Sequence, residues 1–152
     1  MIKKRPPRLH QTFAVAPIYF VTFCTRDRRR LPSLDTAHQT FVEYTTRAER
    51  EFNIAVGRYV IMPDHVHLFV CGDADFDLSK WIGGLKRAIS AAVAEKRTTP
   101  LWQPGFFDHL LRSDESYAQK WQYVQENPVR AGLVARSEDW PHAGEIVLID
   151  RA

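Results

Sequence analysis

Four short runs of apolar, β-branched and aromatic residues predict β-strands along the chain. They cover residues 17–24, 54–61, 66–71 and 106–112. Pro63 and Asp64 stand between the second and third runs as a tight-turn signal, so these two strands are expected to form an antiparallel hairpin.

Three further segments place apolar residues at helical spacing. They cover residues 35–51, 77–96 and 114–126. Asp35 is a plausible cap for the first helix, and Pro128 is expected to end the third. The order strand, helix, strand, strand, helix, strand, helix predicts an α+β fold of the ferredoxin-like type, an antiparallel sheet with helices packed on one face.

The composition favours a single globular domain. The 152 residues are 45% hydrophobic and 26% charged, enough for one core and unlike a disordered chain. No apolar run reaches the ~18–20 residues of a membrane span, and the basic start MIKKRPPRLH lacks the apolar segment of a secretion signal. We therefore expect a cytoplasmic protein without a membrane partner. Cys24 and Cys71 lie in apolar runs and are expected to be core residues.

Positive charge is modest in sum but clustered along the chain. The formal net charge is +3, yet KKRPPR lies near the N-terminus and RDRRR covers residues 26–30. Such runs are usually solvated surface. Two of them flanking the first strand favour a polyanionic partner, with nucleic acid as the first candidate.

The third predicted strand carries two histidines in the stretch MPDHVHLFV. Because side chains alternate along a strand, His65 and His67 lie on one face and Val66 on the other. Apolar packing does not require two imidazoles on one face, whereas two metal-binding groups on one side of a strand would have a chemical reason to be there. The pair alone leaves a structural role and a metal site both open.

Tyr123 and Asn127 form a second candidate group, four residues apart on one face of the third predicted helix. A half-buried tyrosine and a helix-capping asparagine are the structural alternative. Together with the two histidines, these residues suggest a chemical mechanism for cleaving a phosphodiester. Two imidazoles and an amide oxygen can bind a divalent cation with open positions, and a nearby tyrosine oxygen can attack a phosphodiester.

Four stretches resemble a known family, in the same order along the chain. MPDHVHLFV resembles the histidine–hydrophobe–histidine (HUH) motif of the single-tyrosine transposases that act on single-stranded DNA. YVQENPVRAGLV resembles the tyrosine helix of their REP-associated subgroup, and YFVTFCTRDRR and LWQPGFFDHLLRSDESY are similar to that subgroup's first strand and the segment before its tyrosine helix. The resemblance covers residues 18–134 and implies the ferredoxin-like fold.

The resemblance also implies a role for each matching residue. His65 and His67 fall on the paired metal ligands, Asn127 on the polar third ligand and Tyr123 on the nucleophile. The implied reaction is a transesterification with Mg²⁺ or Mn²⁺ that leaves a 5′-phosphotyrosine link and a free 3′-hydroxyl, and that can rejoin strands. The implied partner is single-stranded DNA with a hairpin of the repetitive extragenic palindrome (REP) type, at the bacterial nucleoid, with a monomer favoured over a dimer.

Three neighbouring residues are candidates for supporting roles. Asp64 either touches the metal or its waters, or simply forms the turn after Pro63. Asp108 is a candidate accessory residue of the site. Tyr117 is a rival nucleophile, ranked below Tyr123 because it lies off the face that Tyr123 shares with Asn127.

DNA binding requires further residues beyond the reactive ones. Trp102 and Phe106 are candidates for stacking on unpaired bases, with a core role as the alternative. The candidate phosphate contacts are Lys3, Lys4, Arg5, Arg28, Arg29, Arg30, Lys86 and Arg87.

We therefore expect one HUH tyrosine transposase domain over residues 1–152, with a basic N-terminal arm at 1–10 and a C-terminal extension at 135–152. The expected function is a metal-dependent single-stranded DNA endonuclease and strand transferase. A non-catalytic hairpin-binding protein of the same fold is the alternative. A metal phosphoesterase that uses water is a third class, and it would leave Tyr123 without a role.

Overall fold

The computed structural model describes residues 17–93, 99–111 and 116–149. In these ranges one antiparallel sheet has the strand order β4-β1-β3-β2-β5. Its strands are β1 (Tyr19–Cys24), β2 (Ala55–Met62), β3 (His65–Cys71), β4 (Phe107–Leu110) and β5 (Ala143–Glu145). The predicted α+β fold is confirmed, and β2 and β3 form a hairpin that turns at Pro63 and Asp64.

Side-chain caps fix where the helices begin. The helices are α1 (Leu34–Phe52), α2 (Leu78–Ala92), α3 (Tyr117–Val124) and α4 (Asn127–Arg130). The Ser33 hydroxyl accepts the Thr36 backbone N–H at 3.2 Å, so the prediction of Asp35 as the cap of α1 is wrong. Asp77 and Ser116 accept the equivalent N–H groups of α2 and α3.

The helices cover both faces of the sheet. Val66, Leu68 and Val70 of β3 pack in one core with α1 and α2, which we call the α1–α2 face. Phe69 and Cys71 alternate with them and pack in a second core with α3, which we call the α3 face. The expectation of helices on one face therefore holds for α1 and α2, whereas α3 lies on the other face, where His65 and His67 also lie.

The C-terminal segment completes the sheet at the β2 edge. β5 pairs with β2, and the Trp140 indole N–H donates to the Ile61 carbonyl at 3.0 Å. His142 Nε2 lies 2.9 Å from Asp35 Oδ1 on α1, and Val147 is buried against the α3 face. No helix within the described ranges is long and apolar enough to span a membrane.

The two cysteines are buried and unpaired with one another, as predicted. Cys24 ends β1 and Cys71 ends β3, and neither forms a disulfide. Both contribute small side chains to strands that are covered by helices.

Candidate active site

The histidine pair is held on β3 with both Nδ1 atoms occupied. The ring centres of His65 and His67 are 4.7 Å apart, with the planes at 80°. His65 Nδ1 lies 2.7 Å from Asp64 Oδ1, and His67 Nδ1 lies 2.7 Å from Thr22 Oγ1. When each Nδ1 carries the proton of its hydrogen bond, each Nε2 keeps a lone pair, which is the usual arrangement of metal-binding histidines.

The surroundings keep both imidazoles neutral. Burial is the main cause that lowers the pKa of His67 to about 3, with smaller contributions from His65 and from the positive charges of Arg130, Arg28 and Lys120. Burial also lowers the pKa of His65, outweighing the opposite effect of Asp64. Neutral imidazole is the form that binds a metal ion, so neither ring has to lose a proton first.

Asp64 connects the histidine pair to the turn after β1. Its Oδ1 accepts from His65, and its Oδ2 accepts from Arg28 Nε at 3.1 Å. Burial raises the pKa of Asp64, but the His65 and Arg28 contacts outweigh burial and the net pKa is lowered. Asp64 is therefore a turn residue that also orients His65, and both of its carboxylate oxygens have protein partners.

Tyr123 and Asn127 lie on consecutive short helices. α3 ends at Val124, and Pro128 stands in the first turn of α4, so this proline begins a helix instead of ending one. The Asn127 amide N–H donates to the Val124 carbonyl at 2.9 Å, as a helix-capping asparagine would. That contact uses the nitrogen alone, and the amide oxygen is left available as an acceptor or ligand.

The Tyr123 side chain is the accessible phenol of this region. It is 67% exposed, and the Arg130 guanidinium lies 4.1 Å from its ring centre. Arg130 is also close enough to His67 to lower the histidine's pKa. Lys120 lies 5.2 Å from the ring centre of Phe20, which in turn stacks on His67 at 5.4 Å. The tyrosine helix and the histidine pair therefore lie on the same face of the sheet. The two cations Arg130 and Lys120 contribute positive charge near both.

Tyr117, the rival nucleophile, has a different environment. It is 4% exposed, and its ring centre lies 4.8 Å from that of Phe69 in the core of the α3 face. Its oxygen accepts the Arg58 backbone N–H at 2.7 Å, and burial raises the pKa of the phenol. This hydroxyl stabilises the fold at the β2 strand and is not presented to solvent.

Two of the candidate supporting residues do not have the positions that their proposed roles require. Trp102 is 6% exposed, its ring lies edge-on to Phe23 at 4.9 Å, and its indole N–H donates to the Lys86 carbonyl, so it has the core role that the sequence offered as the alternative to stacking on bases. Asp108 pairs with Val21, whose side chain lies on the α1–α2 face. Paired residues share a face, so the expected accessory role beside the histidines is wrong.

An exposed aromatic residue nevertheless lies on the same face as the histidines. Phe106, the second predicted stacking residue, packs partly against the α1–α2 core. The next residue, Phe107, is 67% exposed and pairs with Thr22, the residue that contacts His67. Phe107 therefore lies on the α3 face, with strand β1 between it and the histidine pair on β3.

The predicted phosphate contacts fall into three groups. Arg28, Arg29, Arg30 and Arg87 are exposed. Lys86 is half-buried, and its ammonium group donates to the carbonyls of Gln103 and Gly105 at 2.9 Å each. The arm residues Lys3, Lys4 and Arg5 lie outside the described residues.

Sequence reasoning missed Lys120 and Arg130, although a signal for them exists. Positions 120, 123, 127 and 130 are three, four and three residues apart, which is the spacing of one helical stripe. The stripe continues across the junction of α3 and α4 because Gln125 and Glu126 keep right-handed helical backbone angles. Thr22 was missed too, and it has no local signal because its contact depends on the pairing of β1 with β3.

The donor set fits a divalent cation that keeps several exchangeable ligands. No group of three or more His, Cys, Asp or Glu side chains in the described part of the chain could hold a metal ion. Protein ligation by these residue types alone would thus stop at the two histidines, and Asn127 is the neutral oxygen donor that the sequence adds to them. Two imidazoles and one amide leave coordination positions for water and phosphate oxygens.

Two known proteins show clear sequence similarity to this chain. A REP-associated tyrosine transposase of Escherichia coli (strain K12) is 28% identical over 124 residues, which cover 81% of this chain and 73% of the relative. A Haemophilus influenzae (strain ATCC 51907 / DSM 11121 / KW20 / Rd) protein, named as a candidate of the same kind, is 26% identical over 143 residues, covering 86% and 81%.

A solved structure described as a REP-associated tyrosine transposase bound to a REP hairpin matches with a TM-score of 0.71 at 26% identity, covering 94% of this chain and 82% of that one. The resemblance to REP-associated tyrosine transposases is thereby confirmed. The sequence model described as "Transposase IS200 like" matches residues 15–127, well over half of the chain. The chain therefore belongs to the IS200-like transposase family.

Proposed function

We propose that this protein is a metal-dependent endonuclease and strand transferase for single-stranded DNA. Tyr123 is the nucleophile, and His65, His67 and Asn127 hold Mg²⁺ or Mn²⁺. The observation that carries the proposal is the pair of neutral imidazoles whose Nδ1 atoms are both engaged, on the same sheet face as the exposed Tyr123. A purely structural histidine pair would not need an accessible phenol on the same face of the sheet.

The reaction exchanges one phosphodiester for another. The Tyr123 oxygen attacks phosphorus and its O–H proton is lost to solvent, so a phosphotyrosine ester forms at the 5′ side of the break. The bond from phosphorus to the 3′ oxygen breaks, and that oxygen takes up a proton to become a free 3′-hydroxyl. Because an ester bond replaces an ester bond, a 3′-hydroxyl can attack the phosphotyrosine and rejoin the strand without ATP.

The chain's own cations provide much of the electrostatic environment for this step. Arg130 lies against the Tyr123 ring, where its guanidinium can attract a phosphate oxygen. Arg28 lies at the other side of the site on Asp64, where it can attract a phosphate. A divalent cation bound by the histidines would stabilise charge on the phosphate oxygens in the transition state.

The substrate is a DNA hairpin flanked by single-stranded nucleotides. The likeness to a structure bound to a REP hairpin supports this partner. Phe107 provides an exposed ring on which an unpaired base can stack, on the same face of the sheet as the histidines. We further propose a monomer acting on nucleoid DNA in the bacterial cytoplasm, since α3 and the histidine face that it covers belong to the same chain.

The test is formation of a covalent protein–DNA adduct. The wild-type protein is incubated with a labelled REP-type hairpin oligonucleotide and Mn²⁺, then denatured and run on a gel that resolves bound from free DNA. The adduct is expected for the wild type and absent for Tyr123→Phe. Tyr19→Phe removes a hydroxyl from the α1–α2 face instead, and it should keep the adduct.

The other outcomes assign the alternative functions. Hairpin binding without any adduct or cleavage by the wild type would indicate a non-catalytic binding protein. Cleavage without an adduct, retained in Tyr123→Phe, would indicate a phosphoesterase that uses water. His65→Ala should abolish cleavage and keep most of the hairpin affinity, because the proposed phosphate contacts lie on other residues.

A further inference from the structure

A second basic surface lies on the α1–α2 face, away from the histidines. A cleft of about 880 Å³ separates α2 from the loop at residues 99–104. Arg26, Lys86 and Arg87 line it, and Ser90 and Thr99 add side-chain hydroxyls. None of the described residues lining the cleft is acidic. Three cations facing one cleft without a carboxylate favour an anionic ligand.

Arg26, one of the residues that line this cleft, has an unsatisfied polar atom. Its Nε is buried and has no hydrogen-bond partner among the described residues. Buried polar groups in folded proteins are nearly always paired, and a cationic N–H is among the least favourable to leave without an acceptor. The described residues therefore leave part of the Arg26 charge without compensation, and an anionic ligand in the cleft would supply it. The orphaned nitrogen is thus an observation of its own, separate from the charge of the lining.

The wall of the cleft is fixed in place before any ligand binds. The backbone N–H of Arg26 donates to the Leu101 carbonyl, and the backbone N–H of Gln103 donates to the Cys24 carbonyl, each at 2.9 Å. On the other side, the Lys86 ammonium group donates to two carbonyls of the loop, and the Trp102 indole N–H donates back to the Lys86 carbonyl. A preformed site loses less conformational entropy on binding.

The lining and the position of the cleft favour a nucleic-acid strand over a small anion as its ligand. Pro100, Leu101 and Pro104 add apolar surface beside the cations, which suits sugar and base groups next to a phosphate. The short 3₁₀ turn Arg26–Arg28 borders the cleft at Arg26 and the histidine site at Arg28, which bonds Asp64. A strand held in the cleft can therefore continue past this turn to the histidines.

We propose that this cleft binds the phosphodiester backbone of single-stranded DNA adjoining the nucleotide that is cleaved. The identification of the strand as the substrate rests on the proposed function. Binding of a phosphodiester strand by the cleft does not require cleavage, so the two can be tested separately.

The test compares a charge placed in the cleft with the same charge placed beside it. Ala91 and Ala92 are both exposed at the end of α2, and only Ala91 lines the cleft. Ala91→Glu and Ala92→Glu change the net charge equally. Binding of a labelled oligothymidylate, which forms no hairpin, is measured by fluorescence anisotropy without metal in the Tyr123→Phe background. We expect Ala91→Glu to weaken binding about tenfold more than Ala92→Glu, in keeping with the cost of placing like charges together.

A second pair of variants keeps the test independent of how Ala91→Glu folds. Arg26→Gln should lower the slope of log K against log salt by about 0.7, the value for one phosphate contact on a single strand. Arg47→Gln removes an equal charge from α1, where Arg47 pairs with Glu51, and should leave the slope unchanged. Equal effects of the two glutamates together with an unchanged slope for Arg26→Gln would overturn the proposal.

Two further outcomes separate related explanations. If thymidine monophosphate binds as tightly as the oligothymidylate and fully displaces it, the cleft is a mononucleotide site and the strand proposal is wrong. If strand binding responds to the cleft variants as expected while the wild-type protein forms no adduct with a hairpin, the proposed function fails and the cleft stands.

Discussion

Replacement of Thr22 by valine tests the histidine site through a residue that orients one of the proposed metal ligands. Thr22 Oγ1 lies 2.7 Å from His67 Nδ1, and valine keeps the shape and β-branching of threonine without the hydroxyl. Loss of this hydrogen bond should cost about 1 kcal/mol of unfolding free energy. It also frees the ring to rotate, and loss of such an orienting partner typically lowers metal affinity or activity by about 10–100-fold, or ~1.4–2.7 kcal/mol.

The assay is a Mn²⁺ titration followed by electron paramagnetic resonance, together with the dependence of the cleavage rate on Mn²⁺ concentration. Thr22→Val should require more Mn²⁺ for half-maximal cleavage and should recover most of its rate at high Mn²⁺. Thr46→Val, at an exposed position of α1, is the matched control and should behave as the wild type. An unchanged Mn²⁺ dependence in Thr22→Val would refute the assignment of His67 as a ligand oriented by Thr22.

Three other substitutions test a proposed DNA contact, a core hydrogen bond and a titrating histidine of α1. Phe107→Ala should weaken binding of unpaired nucleotides by about 1–3 kcal/mol in an anisotropy titration, with little change in unfolding free energy because the ring is 67% exposed. Tyr117→Phe leaves the buried Arg58 N–H without its acceptor and should lower the free energy of unfolding by about 1–3 kcal/mol in urea, while the covalent adduct still forms. Burial lowers the pKa of His38, so below about pH 6.5 the unfolded chain binds a proton there that the folded protein does not. Stability should therefore fall as the pH drops from about 7 to 5, and less steeply in His38→Gln, whereas identical slopes in urea midpoints would contradict this explanation.

Local sequence patterns predicted the strands of the sheet and the common face of the two histidines. The alternation of β3 put His65 and His67 on the same face, and the structure has them there because strand geometry allows no other arrangement. The helical spacing of apolar residues at 77–96 likewise predicted a helix, and α2 buries Trp81, Ile82, Leu85 and Ile89 on one side. Periodicity carries this information because it depends only on the chain within each element.

Contacts between distant segments were not predictable in the same way. The pattern of α3 shows which of its sides is apolar but not which face of the sheet it covers. Trp102 is buried because the loop at 99–104 is bonded to the end of β1 and to α2, through contacts that span many residues. Asp108 faces away from the histidines because of the register between β4 and β1. The positions of these three features depend on contacts between segments that are distant in the sequence, and the pattern of a single sequence does not reveal such contacts.

In the turn after β1, the side chains of one basic run reach two different sites. Asp27 and Arg28 both have φ of 56°, in the left-handed region, where non-glycine residues cost about 1–2 kcal/mol each. The turn is held by the Thr25 hydroxyl, which donates to the Arg29 carbonyl at 2.6 Å, and by the Arg28 contact with Asp64. Strained backbone persists where the surrounding contacts fix it, and such positions cluster at functional sites. Here the strained turn sends Arg26 into the cleft and Arg28 to the histidine site, so a run that would otherwise be a solvated surface joins the two places where we propose that one DNA strand is held and cut.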